Sequence, residues 1–421
     1  MLEGMVYYLR SNARTRRLSE RLPVLRRLAV HGVRVLAWLA YYLATGLRRS
    51  AWLRQRLNLP SGETVSWIDP NRPRPAGESV PVDLPRTVNY QLPIVLEGTP
   101  HASFLQAARG RTEGTYVTIL PGGSFWGYYG GFTFDARGHL LHELARDNWY
   151  APRPSAFTAL RLPPRKRVAG TVATLCSPYA ANSNYGHWLM DIVPQFGMLL
   201  RAGIKLEAVD RFVLPYAGHR YQAETLALLG IPEEKIIPAD HRLHLTADRL
   251  VVPFITRDGS HITKEGCDFV RSLFLGATGK DSPGRLIYSS RYDVASRRVL
   301  NEAEVLAYLK TLGFEDLILS RMSVKEQARA IFDAKAVIGA TGSNLTNIIF
   351  ARAGSALIEI FSPGWVNRFQ WYMCNHIGVR FAYLVSQDLR PSGANEMRYL
   401  TEDVMVDIDK LAKMCRLLGL A

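Results

Sequence analysis

The chain has 421 residues, 48% of them hydrophobic and 21% charged, which is ordinary globular composition, and its formal net charge is +15. At roughly 100–200 residues per domain, this length predicts two or three domains. The four cysteines are widely spaced and form no CxxC motif. This pattern excludes a disulfide framework or a zinc site and favours reduced thiols in a cytoplasmic setting.

The positive charge is concentrated at the start of the chain. Residues 1–60 contain twelve arginines, no lysine and two glutamates, so +10 of the total +15 lies there. The uncharged run at 35–47 has thirteen residues, whereas a spanning helix needs about twenty. Arginines beside an apolar face with Trp38, Tyr41 and Tyr42 predict an amphipathic helix at an anionic membrane surface. The alternative is a basic helix that packs on its own domain.

Nucleic acid is the other obvious partner of an arginine cluster. No helix-turn-helix, RRM or zinc-finger pattern accompanies this cluster. We therefore expect no nucleic-acid partner.

The first half of the chain predicts a mixture of strands and helices. Residues 60–100 are rich in proline and predict a linker or irregular wrapping. Residues 115–150 alternate aromatic runs with glycine turns, as strands and hairpins do. The segment 168–176 predicts a strand, and 183–204 a loop that leads into a helix. Two further short apolar runs, typical of a parallel sheet, are "RFVLPY" and "RLVVPF".

The second half has a βαβ rhythm. The predicted elements are strands at 284–291, 315–321, 336–340 and 355–361, with helices at 301–313, 323–335 and 344–352. Asn301 is the expected N-cap of the first helix, and Ser323 with Glu326 predicts a capping box at the second. This alternation predicts a doubly wound parallel sheet with right-handed crossovers.

A stretch of small and polar residues, "GATGSN" at 339–344, stands between a predicted strand and a predicted helix. Ligands of doubly wound sheets bind at such strand ends, where backbone N–H groups and the helix dipole favour an anion. Ser343 can donate to a phosphate oxygen, and Glu359 can accept hydrogen bonds from ribose hydroxyls. The GK[ST] and GxGxxG signatures are absent, which excludes a P-loop ATPase and a dehydrogenase. A plain strand–helix connection is the alternative.

His187 and Asp191 are four residues apart, so on a helix they share one face. An imidazole beside a carboxylate is a usual general-base arrangement. A His–Asp pair on the protein surface is the alternative.

Three arginines, Arg291, Arg297 and Arg298, follow a predicted strand on the same edge as the glycine-rich turn. Guanidinium groups there suit a diphosphate, through charge and bidentate hydrogen bonds. Surface arginines before a helix are the alternative.

These three elements, in this order, resemble glycosyltransferase family 61. The shared segments are "N-Y-x-H-W-L-x-D" at 184–191, "Y-x-S-R…R-R-x-x-N-E" at 288–302, and "G-x-x-G-x-x-L-T-N" at 339–347 followed by an "E-I" pair. The resemblance covers roughly residues 165–365. It implies a GT-B fold, in which two Rossmann-like domains face each other across a cleft, and an inverting transfer that requires no metal.

The resemblance and the charge pattern together predict four segments. They are a basic amphipathic membrane-interface segment at 1–60, an acceptor-side α/β domain at 61–280, a nucleotide-sugar domain at 281–390 and a C-terminal helix that packs back on the body at 391–421.

The resemblance also implies roles for individual residues. Asp191 is the expected base, with His187 orienting it or exchanging roles with it, and Asn184 and Tyr185 lie on the acceptor side. The expected donor-binding residues are Arg291, Arg297, Thr341, Gly342, Ser343, Asn344, Leu345, Thr346 and Glu359. Family members often carry histidine at the position of Thr341. A hydroxyl can still donate to phosphate, but any role that needs an imidazole there is in doubt.

The predicted function is transfer of a sugar from a nucleotide-sugar, UDP-linked, to a glycan or lipid-linked glycan in cell-surface polysaccharide biosynthesis, such as capsule. No cofactor or metal is expected, and the protein is expected on the cytoplasmic face of the plasma membrane as a peripheral protein. One alternative is another GT-B-like transferase, such as a polysaccharide pyruvyltransferase that uses phosphoenolpyruvate. The other is a non-catalytic scaffold with a vestigial nucleotide site.

Overall fold

The computed structural model describes residue 39 and residues 41–145, 154–177, 180, 184–254, 262–276, 284–387 and 402–421. Within them the chain forms a ten-stranded mixed sheet, a five-stranded parallel sheet and a two-stranded hairpin, with helices between the strands. The predicted α/β class is therefore confirmed. All four cysteines are free thiols, as the sequence predicts.

The ten-stranded sheet and the hairpin come from the first two-thirds of the chain. Their elements are α1 (Ala51–Leu57), β1 (Thr64–Val65), β2 (Glu78–Asp83), β3 (Thr87–Asn89), α2 (Ala102–Ala107), β4 (Arg109–Arg111), β5 (Thr115–Pro121), β6 (Ser124–Trp126), β7 (Phe132–Phe134), β8 (Leu140–Leu141), β9 (Lys166–Thr174), α3 (Tyr185–His187), α4 (Val193–Arg201), β10 (Arg211–Leu214), α5 (Arg220–Leu228), β11 (Ile236–Pro238), β12 (His244–Phe254) and α6 (Lys264–Leu275). The order is β1-β8-β7-β6-β12-β9-β10-β11, with β5 also paired to β12, and β2 to β5. Strands β9 to β12 form the parallel part, and β5 and β6 run antiparallel to β12.

Strand β2 corrects the expectation that residues 60–100 form a linker or irregular wrapping. It pairs antiparallel with β5, and its register shifts between Pro81 and Asp83. Proline has no N–H to donate to a ladder, so it is tolerated in edge strands and at bulges. Pro81 lies in such a strand, because β2 pairs with β5 alone in the described chain.

The five-stranded sheet comes from the last third of the chain. Its elements are β13 (Arg285–Ser289), α7 (Glu302–Thr311), β14 (Phe314–Leu317), α8 (Val324–Phe332), β15 (Ala334–Ala340), β16 (Ala356–Phe361), α9 (Phe369–Ile377), β17 (Arg380–Val385) and α10 (Ile408–Leu417). The order is β14-β13-β15-β16-β17, and every pair is parallel. This is the doubly wound order 2-1-3-4-5, in which the connections reverse direction between β13 and β15.

The local predictions for this half are correct with two exceptions. The capping box of Ser323 and Glu326 is present at the start of α8. The strand predicted at 315–321 ends at Leu317. The α-helix predicted at 344–352 is wrong, because Ser343–Phe350 form a 3₁₀ helix. This buried segment is rich in asparagine and β-branched residues, which disfavour an α-helix.

The two sheets share one hydrophobic core. Its largest cluster of buried side chains includes Phe212 of β10 and Leu357 of β16. Phe104 of α2 is fully buried, and its ring centroid lies 5.3 Å from that of Trp371 and 5.2 Å from that of Tyr383. Helix α2, which lies between β2 and β5 of the first sheet in the chain, is thus packed against the second sheet.

The last helix, α10, packs on the opposite face of the second sheet. Its Leu411 and Met414 are fully buried and share a cluster with Val305 and Leu309 of α7. The amphipathic pattern of this helix is therefore satisfied within the chain.

We expect Phe104→Ala to lower the free energy of unfolding by about 3–5 kcal/mol, because it removes a large buried ring and leaves a cavity. Urea denaturation followed by circular dichroism measures this. Leu105→Ala, in the same helix, is the matched control, since Leu105 is 45% exposed and its loss should cost less than about 0.5 kcal/mol. Equal losses in the two variants would contradict a core shared through Phe104.

Candidate active site

The carboxyl ends of β13 and β15 lie side by side at the point where the sheet connections reverse direction. In open α/β sheets this crevice is where ligands bind. Ser290 and Arg291 follow β13, and Thr341 and Gly342 follow β15. The two predicted anion-binding segments therefore meet at one position in the fold.

Asn344 joins these two strand ends. Its amide nitrogen donates to Ser289 Oγ at 2.7 Å, and its Oδ1 accepts from Arg291 Nη1 at 2.8 Å. The motif residues on the β13 side are held by Glu302, which accepts from the hydroxyls of Tyr288 at 3.0 Å and Ser290 at 2.9 Å. The loop between β13 and α7 is thus held by Asn344 at its start and by Glu302 at its end.

Arg291 is a buried cation aimed into the crevice. Besides the bond to Asn344, its Nε donates to the carbonyl of Arg297 and its Nη2 to that of Ser296, both at 3.1 Å. A guanidinium has five N–H groups, so donors remain for a ligand. Burial, and then the charge of Arg297, lowers the pKa of Arg291 to about 10, and the group stays cationic at neutral pH. A Cβ at Gly342 would collide with Arg291 Nη1, so the glycine makes room for the cation.

Arg297 and Glu359 form a second, unusual pair. Arg297 has φ +56°, in the left-handed region, and its buried Nε has no hydrogen-bond partner among the described residues. Glu359 lies in the middle of β16 with 0% exposure, and neither carboxylate oxygen has a partner in the described chain. Burial raises the pKa of Glu359 to about 8, while the Thr341 hydroxyl and then the Arg297 charge act to lower it.

This placement does not fit the expected contact of Glu359 with a ribose. A ribose hydroxyl would need an accessible carboxylate, and this one lies beneath α9. Gln370 of α9 also has a buried oxygen without a partner. Its Nε2 donates to the Gly342 carbonyl at 3.3 Å, but its Oε1 has no partner in the described chain.

The hydroxyl of Thr341 is already in use, because Asn367 donates to it at 3.1 Å. Thr341 is 1% exposed, and its hydroxyl is already occupied as an acceptor.

The predicted pair of His187 and Asp191 is formed on a distorted helix. Helices α3 and α4 are joined by a π-helical segment, Trp188–Ile192. Pro194 explains the distortion, because it has no N–H to donate to the carbonyl four residues earlier and its ring would clash there. His187 Nδ1 lies 3.1 Å from Asp191 Oδ2.

Ser177 is a third member that the sequence did not reveal. Its buried hydroxyl donates to Asp191 Oδ2 at 2.6 Å, a short charge-assisted bond. Asp191 is only 5% exposed, whereas the His187 side chain is 16% exposed and lies 6.0 Å from the ring of Phe369. If His187 Nδ1 carries the proton that Asp191 accepts, then Nε2 is the basic nitrogen of the neutral ring.

The helix that carries this pair is attached directly to the glycine-rich turn. Asn184 Oδ1 accepts from Ser343 Oγ at 2.8 Å, and the Tyr185 hydroxyl donates to Asn347 Oδ1 at 2.7 Å. A Cβ at Gly186 would lie 2.8 Å from Thr346 Oγ1, so only glycine allows this approach. Two motifs about 160 residues apart therefore form one site.

The structure divides the predicted residues into two groups. Arg291, Arg297, Thr341, Gly342 and Ser343 surround the crevice. Three others are structural in their visible contacts: Leu345 packs in the core, Thr346 is buried against the helix start, and Asn344 joins the strands.

Sequence reasoning missed several residues of the site, namely Ser177, Asn367, Phe369 and Gln370. None has a local pattern, since Ser177 reaches the site from the loop after β9 and the other three from the start of α9. In the described part of the chain, no group of three or more His, Cys, Asp or Glu residues could hold a metal ion.

The family model of Glycosyltransferase 61 matches residues 185–358, which run from the start of α3 into β16. No curated protein matches the chain. The matched range includes the His187–Asp191 pair, the arginine loop and the glycine-rich turn.

Glu359→Gln tests the protonation state of the buried acid. Folding raises this pKa from 4.5 to about 8, so the folded protein binds the proton more tightly and its free energy of unfolding falls as the pH rises between those values. Glutamine does not titrate. We expect the variant to gain stability relative to the wild type by about 1.4 kcal/mol per pH unit from pH 5.5 to 7.5, measured by urea denaturation.

The control for this experiment is Glu234→Gln, since Glu234 is exposed. Its difference from the wild type should not change with pH. Parallel pH profiles for Glu359→Gln and the wild type would show that Glu359 is ionised in the folded protein.

Proposed function

With residues 185–358 forming a glycosyltransferase family 61 domain, the chain is a glycosyltransferase, and we propose that it transfers a sugar from a UDP-sugar to a glycan acceptor with inversion and without a metal. The proposal includes a GT-B type arrangement, with the five-stranded sheet holding the donor. It further places the reaction in the synthesis of a cell-surface polysaccharide such as capsule.

The main support for the proposal is that the helix of the His187–Asp191 pair is hydrogen-bonded to the turn at a cationic strand-end crevice. Arg291 offers remaining N–H donors at the switch point, and the first N–H groups of the helix after Gly342 have no intrahelical acceptor. Such donors suit the negative charge that develops on a departing nucleotide diphosphate. The hydrogen bonds of Asn184 to Ser343 and of Tyr185 to Asn347 support this assignment, since they join the helix of His187 to the turn after β15.

The reaction requires one proton transfer and one displacement. A base removes the proton of an acceptor hydroxyl, whose oxygen attacks the anomeric carbon as the bond to the diphosphate oxygen breaks. In our proposal His187 Nε2 takes the proton. Asp191, more buried and already accepting from Ser177 and His187, holds the ring and stabilises its charge. The sequence suggested Asp191 as the base, with His187 orienting it or exchanging roles with it, and our proposal takes the exchanged arrangement.

Isothermal titration with UDP, together with UDP release from a panel of UDP-sugars, tests the proposal. We expect Asp191→Asn to bind UDP like the wild type but to lose about 10²–10⁴-fold in transfer, because the base loses its orienting carboxylate. We expect Arg291→Ala to bind UDP at least about tenfold more weakly, since it removes a charged donor.

Arg298→Ala is the matched control for Arg291→Ala. Arg298 is on the same loop, but its guanidinium is 53% exposed and paired with Asp403 at 2.8 Å. Its removal should leave UDP binding unchanged. If the wild type bound neither UDP, GDP nor CMP, the donor proposal would be wrong. Equal losses in the two arginine variants would remove the crevice as the binding site.

We also propose that the N-terminal segment holds the enzyme on the inner face of the plasma membrane. Most of the basic segment, residues 1–38, lies outside the described residues, but 41–49 and α1 are helical. Arg48 is buried there and donates to the Phe157 carbonyl at 2.6 Å. The exposed large apolar side chains of this region are Leu39, Tyr42 and Leu43, which share a face by helical spacing, and Trp52 of α1. Among the residues described, no helix has the length and apolar character that a membrane span requires.

Sedimentation of the full chain with lipid vesicles tests this attachment. We expect binding to vesicles that contain phosphatidylserine, weaker binding to phosphatidylcholine alone, and loss at high salt. The double variant Leu43→Ala/Trp52→Ala should bind less, whereas Leu228→Ala, exposed on α5, should not. Equal sedimentation of both variants with the wild type would contradict the proposal.

A further inference from the structure

A groove of about 330 Å³ lies between the β3–β4 hairpin, the start of α6 and one side of α9. It is separate from the strand-end crevice. Strand β4 contributes Arg109 and Arg111, the residue after β3 is Tyr90, and the N-cap of α9 is Arg368. None of these residues belongs to the motifs that the family match explains.

The groove carries an excess of unpaired positive charge. Two of its acids are neutralised within the protein: Glu265 by a bidentate bond to Arg86 at 2.7 and 2.9 Å, and Asp83 by Arg201. Glu113 is the remaining acid of the lining. The guanidinium groups left without an ion pair among the described residues are those of Arg109, Arg111 and Arg368.

The positions of these groups suit an extended, amphipathic ligand. Arg109 and Arg111 are two residues apart on β4, so they lie on the same face of the hairpin. Arg368 lies over the ring of Tyr372 at 5.8 Å. The partly exposed Tyr90 ring is held at 5.6 Å by His376. Aromatic rings that combine an apolar face with a polar edge are typical of ligand-binding surfaces.

Helix α9 connects this groove to the candidate active site. Arg368 lines the groove, and the next residue, Phe369, packs against His187 at 6.0 Å between ring centroids. On the other side of Arg368, Asn367 donates to Thr341. Two consecutive residues, Arg368 in the groove and Phe369 against His187, therefore link the groove to the candidate base.

We propose that this groove binds the acceptor, and that the acceptor is an acidic oligosaccharide whose terminal hydroxyl reaches His187. This inference rests on the proposed glycosyl transfer. Arg109, Arg111 and Arg368 bind the negative groups of the ligand, and Tyr90 packs against a sugar ring. The negative charge is either the carboxylate of a uronic acid or a phosphate on the sugar chain.

Titration calorimetry with three probes tests the proposal: trigalacturonate, a phosphorylated pentamannose and neutral maltotriose. We expect at least one acidic probe to bind at least about tenfold more tightly than maltotriose, and Arg109→Ala/Arg111→Ala and Arg368→Ala each to weaken that binding about tenfold. Arg242→Ala, exposed and outside the groove, should leave it unchanged. Whether trigalacturonate or the phosphorylated probe binds identifies the source of the charge.

The same preparations are titrated with UDP, which separates this inference from the donor proposal. Normal UDP binding by the groove variants, with weakened binding of the acidic probe, supports the groove. A wild type that binds the acidic probe but no nucleotide would leave the groove as a glycan site and remove the donor proposal. Equal binding of acidic and neutral probes, no binding of any probe, or equal losses in Arg242→Ala would overturn the groove proposal.

Discussion

The site depends on one hydrogen bond between two distant parts of the chain, from Ser343 Oγ to Asn184 Oδ1 at 2.8 Å. The same oxygen accepts the His187 backbone N–H at 3.3 Å and so caps the helix of the candidate base. One side chain therefore sets both the start of that helix and its distance from the anion-binding turn. Because Tyr185 and Asn347 form a second bond beside it, the relative position of base and crevice is determined by polar contacts that require specific residues.

Irregular backbone is concentrated at this junction. Each of the three sequence motifs contains or borders an irregular conformation. These are the π-helical segment Trp188–Ile192, the left-handed Arg297 and the eight-residue 3₁₀ helix Ser343–Phe350. Each is less favourable than a regular helix or strand. The regular strands and the shared core around them supply the stability that holds these conformations in place. This combination is typical of a site that is organised before its ligand binds.

Burial controls the charges of the crevice. Arg291 is removed from water yet stays cationic, since carbonyls and Asn344 hydrogen-bond to its guanidinium. Glu359 has no such partner, so burial favours its neutral form at neutral pH. A neutral Glu359 does not compensate the positive charge of Arg297, which suits an anionic ligand. Thr341 contributes a hydroxyl to which Asn367 already donates.

Local patterns in the sequence determined the strands and helices of the doubly wound sheet, the capping box at Ser323 and the three motifs, because hydrophobic period and short-range polar spacing are local properties. They also indicated the α/β class and the glycosyltransferase resemblance. Only the tertiary structure decided that Ser177 reaches Asp191, that Glu359 is buried, and that Ser343 begins a 3₁₀ helix. These outcomes depend on hydrogen bonds and desolvation between segments far apart in the chain, and such contacts have no period or spacing that a sequence can display.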